Sequence, residues 1–227
     1  MYLLTDGQSV RAPNQGGKHL IRVVKDPQQR RNELIDIAEE LFSKKGYDQT
    51  AISDIVRKAN VAKGLFYYYF QSKDDVLNAI IMRFIDEAKF LMGTIVNNND
   101  MNAIQKILST YENLNKFRKK REGLVNYIHE EKNEVLHFRL ENKISPIITQ
   151  GLTKIIQQGI KEKLFHTKYP QEAALSILAT EFTIFHEMHK RKDPLKVKEQ
   201  HMDAVFNIME RILGAKHGLF NEFMKLI

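Results

Sequence analysis

The stretch Thr50–Lys73, TAISDIVRKANVAKGLFYYYFQSK, constrains the fold more than any other part of this chain. Ile52, Ile55, Val56 and Ala59 fall on one face of a helix. Asn60 follows, a residue that tolerates the left-handed backbone of a tight turn. Val61 offers an apolar plug, and a second helix is predicted from Ala62 or Lys63 to about Gln71. Phe66 and Phe70 stand four residues apart within it, so one face packs inward. Tyr67, Tyr68 and Tyr69 point about 100° apart around the same helix. They cannot share one buried face, so at least one meets water. Tyr67 is expected to be the structural one, packed against the following helix. Such a pair of helices suits the setting of a helix end into the major groove of DNA.

The flanks extend the pattern. From Gln28, the residues Leu34, Ile37, Ala38, Leu41 and Phe42 form an apolar stripe, and Lys44, Lys45 and Gly46 end it. Thr50 is expected to cap the next helix, with Asp54 near its positive end. Ser72 caps a long helix predicted to reach Val96, with Asp74 and Asp75 in its first turn. Further helices are predicted over 101–117, 121–143, 145–164, 171–190 and 194–213, with Pro146 breaking, kinking or opening the third of these. The fold class is therefore all-α, with about nine helices. A three-helix helix-turn-helix domain is expected over 28–88, its motif at 51–70, and a larger helical domain over 89–227. Residues 1–27 read as a flexible tail. The alternative is a basic arm, using Arg11, Lys18, Arg22 and Lys25, that reaches into the minor groove.

The net charge of +7 favours polyanionic partners, but it is not concentrated near the motif. Residues 1–74 hold 12 Lys/Arg against 9 Asp/Glu, a surplus of +3, so the remaining +4 lies further on. The motif must carry the assignment. Lys63 places an ammonium at the groove-facing end, and Gly64 allows close backbone approach. Tyr67, Tyr68 and Tyr69 offer hydroxyls to phosphates or base edges, and Leu65 can meet a thymine methyl. Thr50 can present its hydroxyl to a phosphate, and Lys73 can clamp the next one.

Cysteine is absent, which excludes disulfides and thiolate metal sites and fits a reducing cytosol. No apolar run is long enough to cross a membrane, and the expected location is the cytoplasm, on the nucleoid. An enzyme is the main rival, but no GxSxG elbow, phosphate loop or dinucleotide fingerprint is present, and no cofactor is expected. His186, Glu187 and His189 read as a solvated cluster near a helix end rather than a metal site. A non-specific nucleic-acid coat is the second rival, and it would need denser, segregated basic charge.

Residues Gln28 to Ile85 resemble the TetR family of transcriptional regulators. The likeness is carried by Gly46-Tyr47, Thr50, Val61-Ala62-Lys63-Gly64, Tyr67-Tyr68, Phe70 and Ser72-Lys73 at their fixed spacing. It implies a homodimeric, all-helical repressor that binds a palindromic operator through its N-terminal domains and a small-molecule effector through its C-terminal domain. Family DNA-contact roles carry to Thr50, Lys63, Gly64, Leu65, Tyr67, Tyr68, Tyr69 and Lys73. Leu65 stands where a small polar residue is common, and Tyr69 where histidine is common.

The helices at 171–190 and 194–213 are apolar around much of their girth, so more than one side needs cover. Pairing of both with a second subunit in a four-helix bundle would supply it. Phe117, Tyr127, His129, Phe138, Phe182 and His186 are the candidates for a ligand pocket, by residue type.

Overall fold

The computed structural model describes residues 26–190 and 194–224. The tail read over 1–27 falls, but for its last two residues, outside them, as do the side chains of His186 and His189. Ten α-helices and no strand occur among the described residues. They are α1 (Pro27–Lys45), α2 (Ile52–Lys58), α3 (Lys63–Tyr69), α4 (Lys73–Val96), α5 (Ala103–Lys120), α6 (Glu122–Ile128), α7 (Glu134–Lys161), α8 (Pro170–Lys190), α9 (Pro194–Leu213) and α10 (Leu219–Met224). None is long and apolar enough to cross a membrane.

The N-terminal helices begin and end on local chemistry. Asp26 accepts from the amides of Gln28 and Gln29, and Pro27 fills the first helical position, where no amide is needed. Gly46, with φ at 88°, ends α1. Asn60 takes φ of 52° in the turn between α2 and α3. Ser72 and Asp75 cap α4 reciprocally: the Ser72 hydroxyl accepts from the Asp75 amide, and the Asp75 carboxylate accepts from the Ser72 amide.

Two apolar clusters divide the molecule along α4. The first gathers Leu34, Phe42, Ile55, Phe66, Phe70, Val76, Ile80 and Phe84 from α1 to α4. The second begins at Met92 and Ile95 and continues through Ile104, Ile107, Ile156, Phe165, Phe206 and Phe220. The long helix is thus a shared beam whose two ends sit in different cores.

The middle of the chain corrects the sequence expectation. A single helix over 121–143 is not formed. Short α6 turns aside and lays Leu124 and Ile128 into the first cluster, beside α1. Its close approach requires Gly123, where a Cβ atom would lie 2.1 Å from the Ser43 carbonyl oxygen. A 3-10 turn at Glu131–Asn133 follows, and the Asn133 amide side chain donates to the Tyr127 carbonyl at 2.7 Å. Pro146 neither breaks nor opens a helix but lies inside α7. It and Asn142, whose carbonyl loses its amide partner, are both exposed, so water can satisfy that oxygen. Helix α10 was not anticipated; its Leu219 and Phe220 are buried, with Phe220 stacked on Phe206 at 5.5 Å.

Candidate nucleic-acid interface

Helix α3 is held by one edge. Phe66 and Phe70 are buried, with ring centroids 5.8 Å apart, and the Arg31 guanidinium lies 5.0 Å above the Phe70 ring. The opposite edge faces water. Lys63 and Gly64 are exposed, Tyr67 is 48% exposed and Tyr68 74%. Lys63 Nζ stands 5.8 Å from the Tyr67 ring, which places an ammonium and a phenol side by side. Leu65 is half-buried. So is Tyr69, which packs on the first cluster and meets the Tyr68 ring edge-on at 4.8 Å. Of the three tyrosines the structural one is therefore Tyr69, not Tyr67. The reason is register: Tyr69 lies three residues after Phe66, on the same side of the helix.

Thr50 and Lys73 are committed elsewhere. Thr50 is 1% exposed, and its hydroxyl donates to the Gly46 carbonyl at 2.7 Å. It does not cap α2. Ala51 occupies the cap position, and the Asp54 carboxylate accepts from its amide. Lys45 and Arg57 flank Asp54 at 2.7 Å each, and these bonds hold its carboxyl below the usual range, Lys45 foremost. Lys73 Nζ donates to the carbonyls of Tyr47 (2.8 Å) and Thr50 (3.0 Å) and sits 4.1 Å from the Tyr47 ring. It pins the start of α4 to the loop before α2. The Tyr47 hydroxyl bonds Asp74, and burial drives this phenol far above its ordinary range, with that hydrogen bond adding to the shift.

A cavity of about 370 Å³ opens between α4, α5, α7 and α8. Leu91, Met92, Leu114, Phe117, Ile148 and Leu178 supply much of its apolar wall. Of the six pocket candidates, Phe117 and Phe182 line it. Tyr127 instead packs on Tyr47 at 4.5 Å, in the first cluster. His129 stacks on His137 at 4.6 Å and bonds the Val125 carbonyl through Nδ1. Phe138 is 62% exposed on α7, away from the cavity lining. All three departures follow from α6: once it turns toward α1, residues 127–138 are carried away from α8.

Residues 34–80 match the family described as "Bacterial regulatory proteins, tetR family". The chain is 43% identical over 67 residues to the HTH-type transcriptional regulator HbdR of Aromatoleum sp. (strain CIB), covering 28% of this chain and 29% of that one. It is 41% identical over 63 residues to the biofilm operon icaADBC negative transcriptional regulator IcaR of Staphylococcus aureus (strain Newman), covering 23% and 34%. The matched part thus spans about a third of the length of these relatives or less. A crystal structure of a transcriptional regulator from Cytophaga hutchinsonii shares the fold at a TM-score of 0.65, with 19% identity, over 83% of this chain and 96% of the other. Over residues 34–80, this chain carries a DNA-binding domain of the tetR type.

The TetR-type domain is tied to the cavity by one buried side chain that sequence reading did not single out. Arg121, 5% exposed, stands between α5 and α6 and lines the cavity. Its Nε donates to Glu39 of α1 at 2.7 Å, and its Nη2 donates to both carboxylate oxygens of Glu87 of α4, at 2.9 and 3.0 Å. The guanidinium carbon lies 4.3 Å from the Phe117 ring centroid and 4.7 Å from that of Phe84. The second Glu39 oxygen has no hydrogen bond, but Arg83 stands 3.4 Å away. Arg121 follows Lys119 and Lys120 in the chain, both of them exposed, and only the fold shows that it alone of the three turns inward.

Proposed function

We propose that this chain is a ligand-responsive transcriptional regulator that represses by binding a palindromic DNA operator as a homodimer. The observation that carries this reading is α3: a dry Phe66/Phe70 edge seats it, Lys63 and Gly64 stand outward at its amino end, and Tyr67 and Tyr68 stand outward further along it. Recognition helices of this kind meet base edges with their amino-terminal residues. IcaR is named as a negative regulator, which favours repression here. Residues 28–88 would form the DNA-reading unit and 89–227 the effector and dimer unit. Leu65 and Tyr69 would contribute through their exposed fractions, whereas Thr50 and Lys73 would act by bracing the loop that carries α2.

The dimer would form through α8 and α9, where the large apolar side chains of Leu175 and Ile208 are exposed. Two recognition helices would then lie about 34 Å apart, one helical turn of DNA. An effector in the cavity would push on Arg121, and through Glu39 and Glu87 on α1 and α4 together. The separation of the two reading heads would change and operator affinity would fall, a population shift between two spacings.

The test is selection of bound duplexes from a random pool, followed by titration of the selected site. Tyr68→Ala and Lys63→Ala are expected to weaken binding to it by about 1–3 kcal/mol each where the residue reads a base. Both side chains are exposed, so folding and oligomeric state should not change. Unchanged affinity in both folded variants removes α3 as the reading element.

A further inference from the structure

We infer that the effector is a small amphipathic acid. Its apolar body of about ten to twenty non-hydrogen atoms would fill the cavity, and a single carboxylate would meet Lys116 and Lys120 at its edge. This rests on the reading of the cavity as the effector site. A volume of about 370 Å³ equals roughly a dozen waters of bulk liquid, which sets the size.

The charge follows from which lining groups are already matched. Five charged residues line the cavity: Glu87, Glu181, Lys116, Lys120 and Arg121. Both oxygens of Glu87 are taken by Arg121. Glu181 accepts from Arg118 at 3.0 Å and from the Tyr111 hydroxyl at 3.1 Å. Arg121 is spent on Glu39 and Glu87. The two acids are therefore satisfied, and neither invites a cation. The lysines differ. Lys116 pairs with Glu112 at 2.6 Å, but both side chains are more than half exposed, so that contact is weak and exchangeable. Lys120 makes no ion pair among the described residues, and it follows Lys116 by four positions on α5, where like charges repel. A carboxylate between them relieves the repulsion. A neutral ligand leaves it, and a cationic one adds to it.

Calorimetric titration of the full chain with decanoate, decanol and decylamine, below their micellar concentrations, tests the assignment. Decanoate should bind, decanol about three- to tenfold more weakly, and decylamine more weakly still. The exposed double variant Lys116→Gln/Lys120→Gln should bring decanoate down to the level of decanol and leave decanol unchanged. Decanol binding as tightly as decanoate, tighter decylamine, or no binding of any probe overturns the proposal. Operator release is read separately. Decanoate that binds through the lysines yet leaves DNA affinity intact would refute the effector reading and keep the acid site. Decanol that binds equally and releases DNA would do the reverse.

Discussion

Arg121→Leu probes the joint between cavity and DNA-reading domain most directly. Leucine keeps apolar contact with Phe84 and Phe117 but removes the guanidinium. Glu39, 9% exposed, then loses its 2.7 Å partner while remaining inside the structure. Stripping one member from a buried pair costs about 3–5 kcal/mol, because the other charge is left uncompensated. Two features set the value near the lower end. Arg83 stands 3.4 Å from the second Glu39 oxygen and can close on it, and the Glu87 side chain is 44% exposed and can hydrate. Lost stacking over two rings adds about 1 kcal/mol. The expected loss is therefore about 3–4 kcal/mol, a large share of the roughly 5–15 kcal/mol that holds a domain together. Urea unfolding followed by circular dichroism measures it. The cycle with Glu39→Leu separates pairing from packing: the double variant should recover about 1 kcal/mol or more relative to the sum of the single changes. A loss under about 1 kcal/mol for Arg121→Leu, with no coupling to Glu39, would refute the bridge as a structural joint.

Gly123→Ala should destabilise the packing of α6 on α1 by about 1–3 kcal/mol, since its Cβ would meet backbone atoms of Ser43 that no rotamer can move; the same unfolding assay reads this. Lys73→Met should cost about 1–3 kcal/mol of stability by orphaning the Tyr47 and Thr50 carbonyls, while the salt slope of DNA binding stays as it was. A fall of about one in that slope would instead make Lys73 a phosphate contact. Alkaline titration should show Tyr47, Tyr111 and Tyr127 ionising late, all three raised chiefly by burial. The native state holds these phenolic protons longer than the unfolded chain does. Stability is therefore intact below about pH 10 and falls as pH rises above it, and Tyr111→Phe should flatten the fall.

Helices α1 to α4 were legible because their signals are local. A cap, a glycine, an asparagine in the left-handed region and a 3.6-residue stripe each act within a turn or two of chain. The same locality misled elsewhere. Thr50 has the chemistry of a cap, but the Gly46 carbonyl lies within reach of its hydroxyl only after α1 has ended. Lys73 looks like a surface cation, yet the returning loop offers it two carbonyls. Tyr127, His129 and Phe138 suit a pocket by residue type, yet none of them lines the cavity. Their direction depends on where α6 leaves α5, which no periodicity encodes.

The chain's own order of residues determined that it is helical, where the reading motif lies, and which edge of α3 is dry. These depend on contacts between neighbours in sequence, and their free energies are set by side-chain type and spacing. Only the packed molecule decided that α6 belongs with the N-terminal core, that Arg121 turns inward to Glu39 and Glu87, and that a cavity stays open between α4, α5, α7 and α8. The Arg121–Glu39 pair alone joins residues 82 positions apart, and the energy of such contacts exists only once distant surfaces have excluded water from between them.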